Sequence, residues 1–444
     1  MTQTSINPRI ADRTRRTQWF LESRFGMFIH WGLYAIPARG EWVRSYEKLT
    51  VEQYQPFFDS FNPVDYNPRA WAKLAKEAGM KYAVLTAKHH DGFCLWDSQV
   101  TDYKATNTPC GRDLVREYVE AFRAEGLKVG LYFSIIDWHH EDFPHYGDQN
   151  HPMRDNPAYS NEGRQFDRYL EYMHAQVREL LTQYGKIDIM WFDFSYPGME
   201  CETWRATDLV NMARSLQPDL IIDNRLEGSG QHSGTIKTQN PSVYAGDFAC
   251  PEQMIPPSGL TDDAGHSIPW EACITLNDHW GYYSADHHYK SPRMVIRSLV
   301  ECVSKNGNLI LNVGPDAKGR IPEESVQILK EVGAWMKDNR ESIYGCGMAE
   351  YAKPEWGRYT QKGNKLYAHI YEECMGPICL RGLAGKIESA RLLRDGSEIQ
   401  LTDYWNIKEY PQDAFFFFDS ANCLTFPLPD EKDTVVELTL KEDI

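Results

Sequence analysis

A chain of 444 residues is long for one domain, so a large domain with a smaller partner is expected. Its 42% hydrophobic and 13% aromatic content supplies a sizeable core and excludes a disordered chain. Lys and Arg number 47 against 63 Asp and Glu, and the formal charge of −16 argues against nucleic acid or an anionic membrane as partner. The stretch MTQTSINPRIADRTRRTQWF has no apolar leader core, and no run approaches the ~20 apolar residues of a membrane span. The ten cysteines show no metal-ligand spacing, Cys374 and Cys379 being the closest pair. Free thiols in a reducing compartment are expected, and with them a cytoplasmic location unless a leader has been removed.

In chain order, residues 1–24 read as a polar arm leading into FGMFIHWG, a first strand ending in His30 and Trp31. Asn67 then caps a helix with Pro68 in its first turn; Trp71, Leu74, Ala75 and Ala78 share one face, and Gly79 stops it. The strand 81–87 and the loop KHHDGF follow. The pattern then repeats. Helix 113–125 leads to strand 128–134 with Asp137 and Trp138 at its exit, and helix 164–184 leads to the strand of IDIMWFD. Helix 204–216 leads to strand 220–224 and Arg225, and helix 292–305 leads to strand 308–313 and GPDAKG. A last helix spans 322–339.

Helix, glycine stop and apolar strand in alternation predict a parallel sheet covered by helices. Seven or eight such strands before residue 320 favour a closed (β/α)8-like TIM barrel over an open sheet. No GxGxxG or GxxxxGK[ST] sits at a strand–helix junction, which weighs against a nucleotide site, and no cofactor is expected. From about Tyr344 the segments KLYAHIYE, SARLLRD, AFFFFD and TVVELTL are short and β-rich, with turns at Lys362-Gly363-Asn364 and Pro429-Asp430. They predict a C-terminal antiparallel β-sandwich, dividing the chain into 1–343 and 344–444. A lid or brace for the barrel is its expected role.

The stretch IDIMWFDFSYPG organises the rest: Ile187, Ile189 and Trp191 alternate with Asp188 and Met190, and Asp193 stands at the exit. An unpaired carboxylate there costs on the order of several kcal/mol, which a helix N-cap or an ion pair would also relieve. In a barrel the strand ends converge on one mouth. There His30, His89, His90, Tyr132 and Arg225 would surround Asp193, a set suited to gripping a polyhydroxylated ligand. Metal-free hydrolytic sites commonly pair an ionised carboxylate with a protonated one. Asp193 fits the first role, and Glu252 in ACPEQ or Glu271 in PWEA the second. Glu41-Trp42 offers an acceptor beside a stacking face, and Trp280-Gly281-Tyr282 an aromatic rim. Arg225 would either pair with Asp223 or enter the mouth. His89, His90 and Asp193 as metal ligands define an alternative, a metal-dependent barrel hydrolase, although no HxH or HExxH is present and no metal is expected. His139-His140 and His287-His288 read as solvated loop pairs.

The stretches FGMFIHWG, GEWV, KYAVLTAKHHDGFCLWDS, TDYKA, GRDLVREYVEAFRAEGLKVGLYFSIIDW, IDIMWFD and NGNLILNVGPDAKGRIP resemble α-L-fucosidases of glycoside hydrolase family 29, over about residues 18–345. The resemblance implies a retaining exo-hydrolase that frees terminal α-L-fucose from fucosylated oligosaccharides or glycoconjugates through a covalent fucosyl-Asp intermediate. It also implies an irregular (β/α)8-like barrel with a C-terminal β-sandwich. It puts the nucleophile on Asp193 and substrate contacts on His30, Glu41, Trp42, His89, His90, Tyr132, Trp191 and Arg225, with Trp280 or Tyr282 against the C6 methyl group. The acid/base falls on Glu252, with Glu271 the runner-up that would otherwise bind or brace the pocket. WFDFSYPGM lacks the longer Gly-rich tail of members restricted to branched α1-3/4 linkages, which implies a broader fucosidase. A non-catalytic fucose-binding protein is the other alternative, and the sequence leaves oligomeric state open, a homo-oligomer included.

Overall fold

The computed structural model describes residues 7–145, 148–228, 233–403, 405, 407–418 and 427–441. Its barrel strands are β1 (Phe25–Ile29), β2 (Tyr82–Lys88), β3 (Lys128–Ser134), β4 (Ile189–Asp193), β5 (Ile221–Ile222), β6 (Glu271–Thr275) and β7 (Asn308–Val313). The first helices are α1 (Pro8–Ser23), α2 (Val43–Tyr46), α3 (Val51–Ser60), α4 (Pro68–Glu77) and α5 (Leu114–Ala124). They are followed by α6 (Phe166–Gln183), α7 (Ala206–Leu216), α8 (Pro292–Val303) and α9 (Glu323–Asn339). None of them is long and apolar enough to cross a membrane, among the described residues.

The expected polar arm is corrected: from Pro8 it is α1, while residues 1–6 of it lie outside the described residues. The Asn7 side chain accepts from the Arg9 N–H and Pro8 occupies the first turn, so the helix start is well capped. Only Arg13, Thr17 and Phe20 of α1 are buried, so a narrow buried stripe lay hidden among arginines. At α4 the expectation holds: the Asn67 side chain accepts from Ala70 N, and Trp71, Leu74 and Ala75 are buried.

The seven strands are all parallel in the order β5-β4-β3-β2-β1-β7-β6. Residues 247–253 join the two ends. They form parallel bridges Asp223↔Phe248, Ala249↔Trp270 and Glu252↔Cys273, with Ala249 N donating to Pro269 O (3.0 Å) and Gln253 N to Cys273 O (2.9 Å). This irregular eighth segment closes the sheet into a barrel.

Side chains on each strand alternate between the barrel interior and the helical layer. Phe28, Val84, Tyr132, Trp191, Cys250, Cys273 and Ile310 pack together inside, over Tyr82, Ile189, Ile221 and Phe248, with Phe20 of α1 in the same cluster. Their neighbours Met27, Leu85, Leu131, Phe133, Met190 and Phe192 belong to the larger core shared with the helices. Gly26 is required by close approach: a Cβ there would fall within the Tyr82 ring. The same parity aims His30, Asp193, Arg225 and Glu252 at the mouth.

Strands β8 (Gly347–Met348), β9 (Gly357–Lys362), β10 (Lys365–Ile370), β11 (Ile378–Leu380), β12 (Ile387–Leu392), β13 (Ala414–Phe416) and β14 (Thr434–Leu440) follow. They form an antiparallel sheet β12-β14-β10-β9-β8 and a two-stranded sheet β11-β13. Leu366, Ile370, Leu380, Phe416, Val436 and Leu438 share a second core. Asp419, the last residue of AFFFFD, lies outside the described residues. The Trp335 indole N–H on α9 donates to Asp433 O (3.0 Å), tying barrel to sheet.

Candidate active site

Asp193 closes β4 on the inward face, in step with Ile189 and Trp191. Its Oδ1 accepts from Arg225 Nη1 (2.9 Å) and its Oδ2 from the Tyr132 hydroxyl (2.8 Å). Arg225 Nη2 donates to Glu252 Oε2 (2.8 Å), so one guanidinium holds both carboxylates. Burial opposes the charge on Arg225, yet Asp193 and Glu252 keep its pKa above the ordinary value. The guanidinium also lies over the Trp191 ring, 4.4 Å from the centroid. Arg225 therefore enters the mouth, whereas Asp223 accepts from the Phe192 N–H (3.0 Å). Asp193 is held at both oxygens with its side chain 11% exposed; that of Glu252 is 35% exposed and open to the cavity entrance.

The histidines are set by their second nitrogens. Asn312 Nδ2 donates to Trp280 O (2.7 Å), which turns its Oδ1 toward His30 Nδ1 (2.7 Å). His30 therefore carries its proton on Nδ1. Ser134 donates to Ile136 O (2.8 Å), so its oxygen accepts from His90 Nδ1 (2.7 Å), giving the same tautomer. Both Nε2 atoms are left as acceptors for ligand hydroxyls. The β2–β3 ladder slips between Thr86 and Lys88, and Gly92 takes φ +82° beside Asp137. These two features bring His89 and His90 side by side, ring centroids 4.1 Å apart. His89 Nδ1 is buried without a partner, and its ring stacks on Tyr132 at 5.6 Å.

Burial pushes His30 and His90 down to about 3 and His89 well below its usual value. All three are thus neutral across the working pH range. The expected result in side-chain NMR is that none titrates between about pH 5 and 8; a midpoint inside that window would overturn the neutral assignment.

His30, Trp42, His89, His90, Tyr132, Trp191, Asp193, Arg225, Glu252 and Trp280 line one cavity. Phe28, Phe194 and Cys273 also line it. Phe28 and Cys273 were open to a parity argument, each lying two residues from an inward-facing neighbour, and Phe194 directly follows Asp193.

Three expected contacts lie elsewhere. Glu41 is buried and its Oε2 accepts from the Gly281 N–H (2.8 Å), bracing the loop that carries Trp280. Tyr282 lines a separate surface hollow with Asp286 and Arg320. Glu271 opens β6, two residues and roughly 6.6 Å below Cys273 along the strand. Fully buried and bonded to the Tyr82 hydroxyl, it has no reach to a leaving group at the mouth. This corrects its runner-up assignment as acid/base.

Among the described residues the metal-type donor atoms of His89, His90 and Asp193 do not converge; Asp278, Asp286 and His288 do, on a rim loop. His287 and His288 are exposed as expected, whereas His139 is half-buried and stacked on Tyr103 at 3.6 Å.

A family model described as Alpha-L-fucosidase matches residues 2–341. The chain is 62% identical to α-L-fucosidase isoenzyme 1 from Paenibacillus thiaminolyticus, with a TM-score of 0.93 over 97% of this chain and 100% of that one. A GH29 α-L-fucosidase from Bacteroides thetaiotaomicron, trapped as a covalent intermediate with 2-fluoro-fucosyl fluoride, is 29% identical, with a TM-score of 0.81 over 96% of each chain. The tissue α-L-fucosidase of Bos taurus is 30% identical over 383 residues, 79% of this chain and 74% of that protein. With two carboxylates on one guanidinium inside a barrel of this shape, the chain belongs to the α-L-fucosidase family, glycoside hydrolase family 29.

Proposed function

We propose that Asp193 is the nucleophile and Glu252 the acid/base in retaining hydrolysis of terminal α-L-fucosides. The observation that carries this reading is the Arg225 bridge between a fixed carboxylate and a more exposed one. Retaining glycosidases need their carboxyl groups about 5–5.5 Å apart. Adjacent nitrogens of one guanidinium are a support of suitable span. Asp193 attacks C1 while the carboxylic proton of Glu252 passes to the departing oxygen, so the glycosidic bond breaks as the fucosyl ester forms. The Glu252 carboxylate then takes a proton from water, and the oxygen of that water displaces Asp193 from C1. Fucose leaves with its configuration retained and both carboxyls return to their starting states.

The remaining residues divide by chemistry. His30 and His90 accept from ring hydroxyls through Nε2, and His89 Nδ1 meets a further polar group. Trp42, Phe28 and Trp280 supply apolar walls, Trp280 being the one tied by Glu41 and suited to the C6 methyl group.

A division of the chain into 1–343 and 344–444 is supported by the separate core of β9–β14. Cytoplasmic location is supported by the nine described cysteines, all free thiols. Tolerance of several linkages is supported by the tight turn bridging Tyr196 and Met199 just beyond Asp193.

Covalent trapping tests the central assignment. After incubation with 2-fluoro-fucosyl fluoride, the anomeric fluoride leaves and the expected result is one added 2-deoxy-2-fluoro-fucosyl mass, mapped by digestion to Asp193. A label on another residue would overturn the reading.

A further inference from the structure

Glu271 is a buried carboxyl that the proposed reaction does not use. Its Oε2 accepts from the Tyr82 hydroxyl, which in turn accepts from Asn308 Nδ2 (3.4 Å). Its Oε1 is buried with no hydrogen-bond partner, and so is the indole Nε1 of Trp191. The two are neighbours: burial raises the carboxyl to about 8, while the Tyr82 hydroxyl and, after it, the Trp191 indole N–H favour its ionised form. At neutral pH Glu271 is therefore mostly an uncharged acid and puts no net negative charge beneath Asp193.

Trp191 has a particular place in the site. Arg225 lies over one part of its ring at 4.4 Å, and the Tyr132 ring is stacked against it at 5.7 Å and 23°. Arg225 and Tyr132 are the two side chains that donate to Asp193. An indole backing both donors fixes the distance and angle of both hydrogen bonds. A ring packed only by apolar surfaces could slide in its own plane, and the one polar atom on its edge prevents this.

We infer that Glu271 is a positioning residue, anchoring the Trp191 indole that backs Arg225 and Tyr132 and so holding Asp193 at the angle needed to attack C1. This inference rests on Asp193 being the nucleophile. It gives the carboxyl a role that needs neither contact with the sugar nor transfer of a proton.

The test compares Glu271→Leu, Glu271→Gln and Trp191→Phe on the full chain, each checked for folding by thermal melting. Substrates are a 4-nitrophenyl α-L-fucoside and fucosyl fluoride, and the Trp191 indole N–H is followed by NMR. Glu271→Leu and Trp191→Phe are expected to lower kcat about tenfold with KM little changed. The loss should be equal for both leaving groups, since alignment of the nucleophile does not depend on which group departs. Glu271→Gln keeps an acceptor for the indole and is expected to recover most of kcat and the wild-type indole resonance. Wild-type kcat in Glu271→Leu, or Glu271→Gln as slow as Glu271→Leu, would overturn the inference. Should Glu271→Leu fail to fold, Trp191→Phe and Glu271→Gln decide by the same criteria. Failure of the parent reading looks different: the covalent label would land away from Asp193, or azide would rescue Glu271→Leu.

Discussion

Asp193→Ala is expected to lower kcat/KM for an aryl α-L-fucoside on the order of 10⁴-fold or more while the protein stays folded. The substitution removes the attacking oxygen and leaves Arg225 Nη1 and the Tyr132 hydroxyl aimed at empty space. Arg225 keeps its contact with Glu252, so its charge is not stranded and the cost of breaking a buried pair is moderated. The vacated volume lies on the face of C1 from which Asp193 would attack. Added azide entering there makes a single displacement, and the product is the fucosyl azide of inverted, β configuration. Kinetics with and without azide, and NMR of the product, check both halves. Asp193→Ala with near-normal turnover would remove the nucleophile from this account.

Much of this was legible because the barrel strands are buried on both faces. β2, β3 and β7 are apolar runs bounded by glycine stops, and their placement needed only local pattern. Asp193 was legible for the same reason, since a carboxylate after an apolar alternation is expensive without a partner. The helix α1 was not, because its few buried residues are interrupted by Arg and Asp and its apolar contact is with strands far along the chain. The closing segment 247–253 was equally hidden. It contains Pro251 and makes single bridges to β5 and β6, so its extended form is imposed by neighbours rather than by its own residues. Glu252 and Glu271 show the limit most plainly. Both face inward by parity, and which of them reaches the mouth depends on the stagger between segments, which spacing along the chain does not encode. Glu41 was read as a ligand contact, whereas one of its carboxylate oxygens accepts from the N–H of Gly281, 240 positions away, a partner that local spacing does not reveal.

Glu252→Ala should fail in a different manner, and the difference identifies its role. A donor is needed most when the departing oxygen is basic. The expected loss in kcat/KM is therefore large for fucosylated oligosaccharides, about 10²–10⁴-fold, and small for fucosyl fluoride, whose leaving group needs little protonation. With the fluoride, ester formation proceeds while hydrolysis lacks its base, so the fucosyl-Asp193 species should accumulate and be visible by intact mass. Azide then attacks the ester from the face opposite Asp193 and yields the α-configured azide, with rescue of turnover. One reagent thus reports on both carboxylates through opposite product configurations. The 35% exposure of the Glu252 side chain, against 11% for Asp193, lets it meet first the departing oxygen and then the incoming water that reloads its proton. A proton donor must be reloaded and released within each cycle, whereas the nucleophile must be held still, and the Arg225 bridge joins one carboxylate of each kind. Equal losses for fluoride and oligosaccharide in Glu252→Ala, with no azide product, would instead make Glu252 only a partner that orients Arg225.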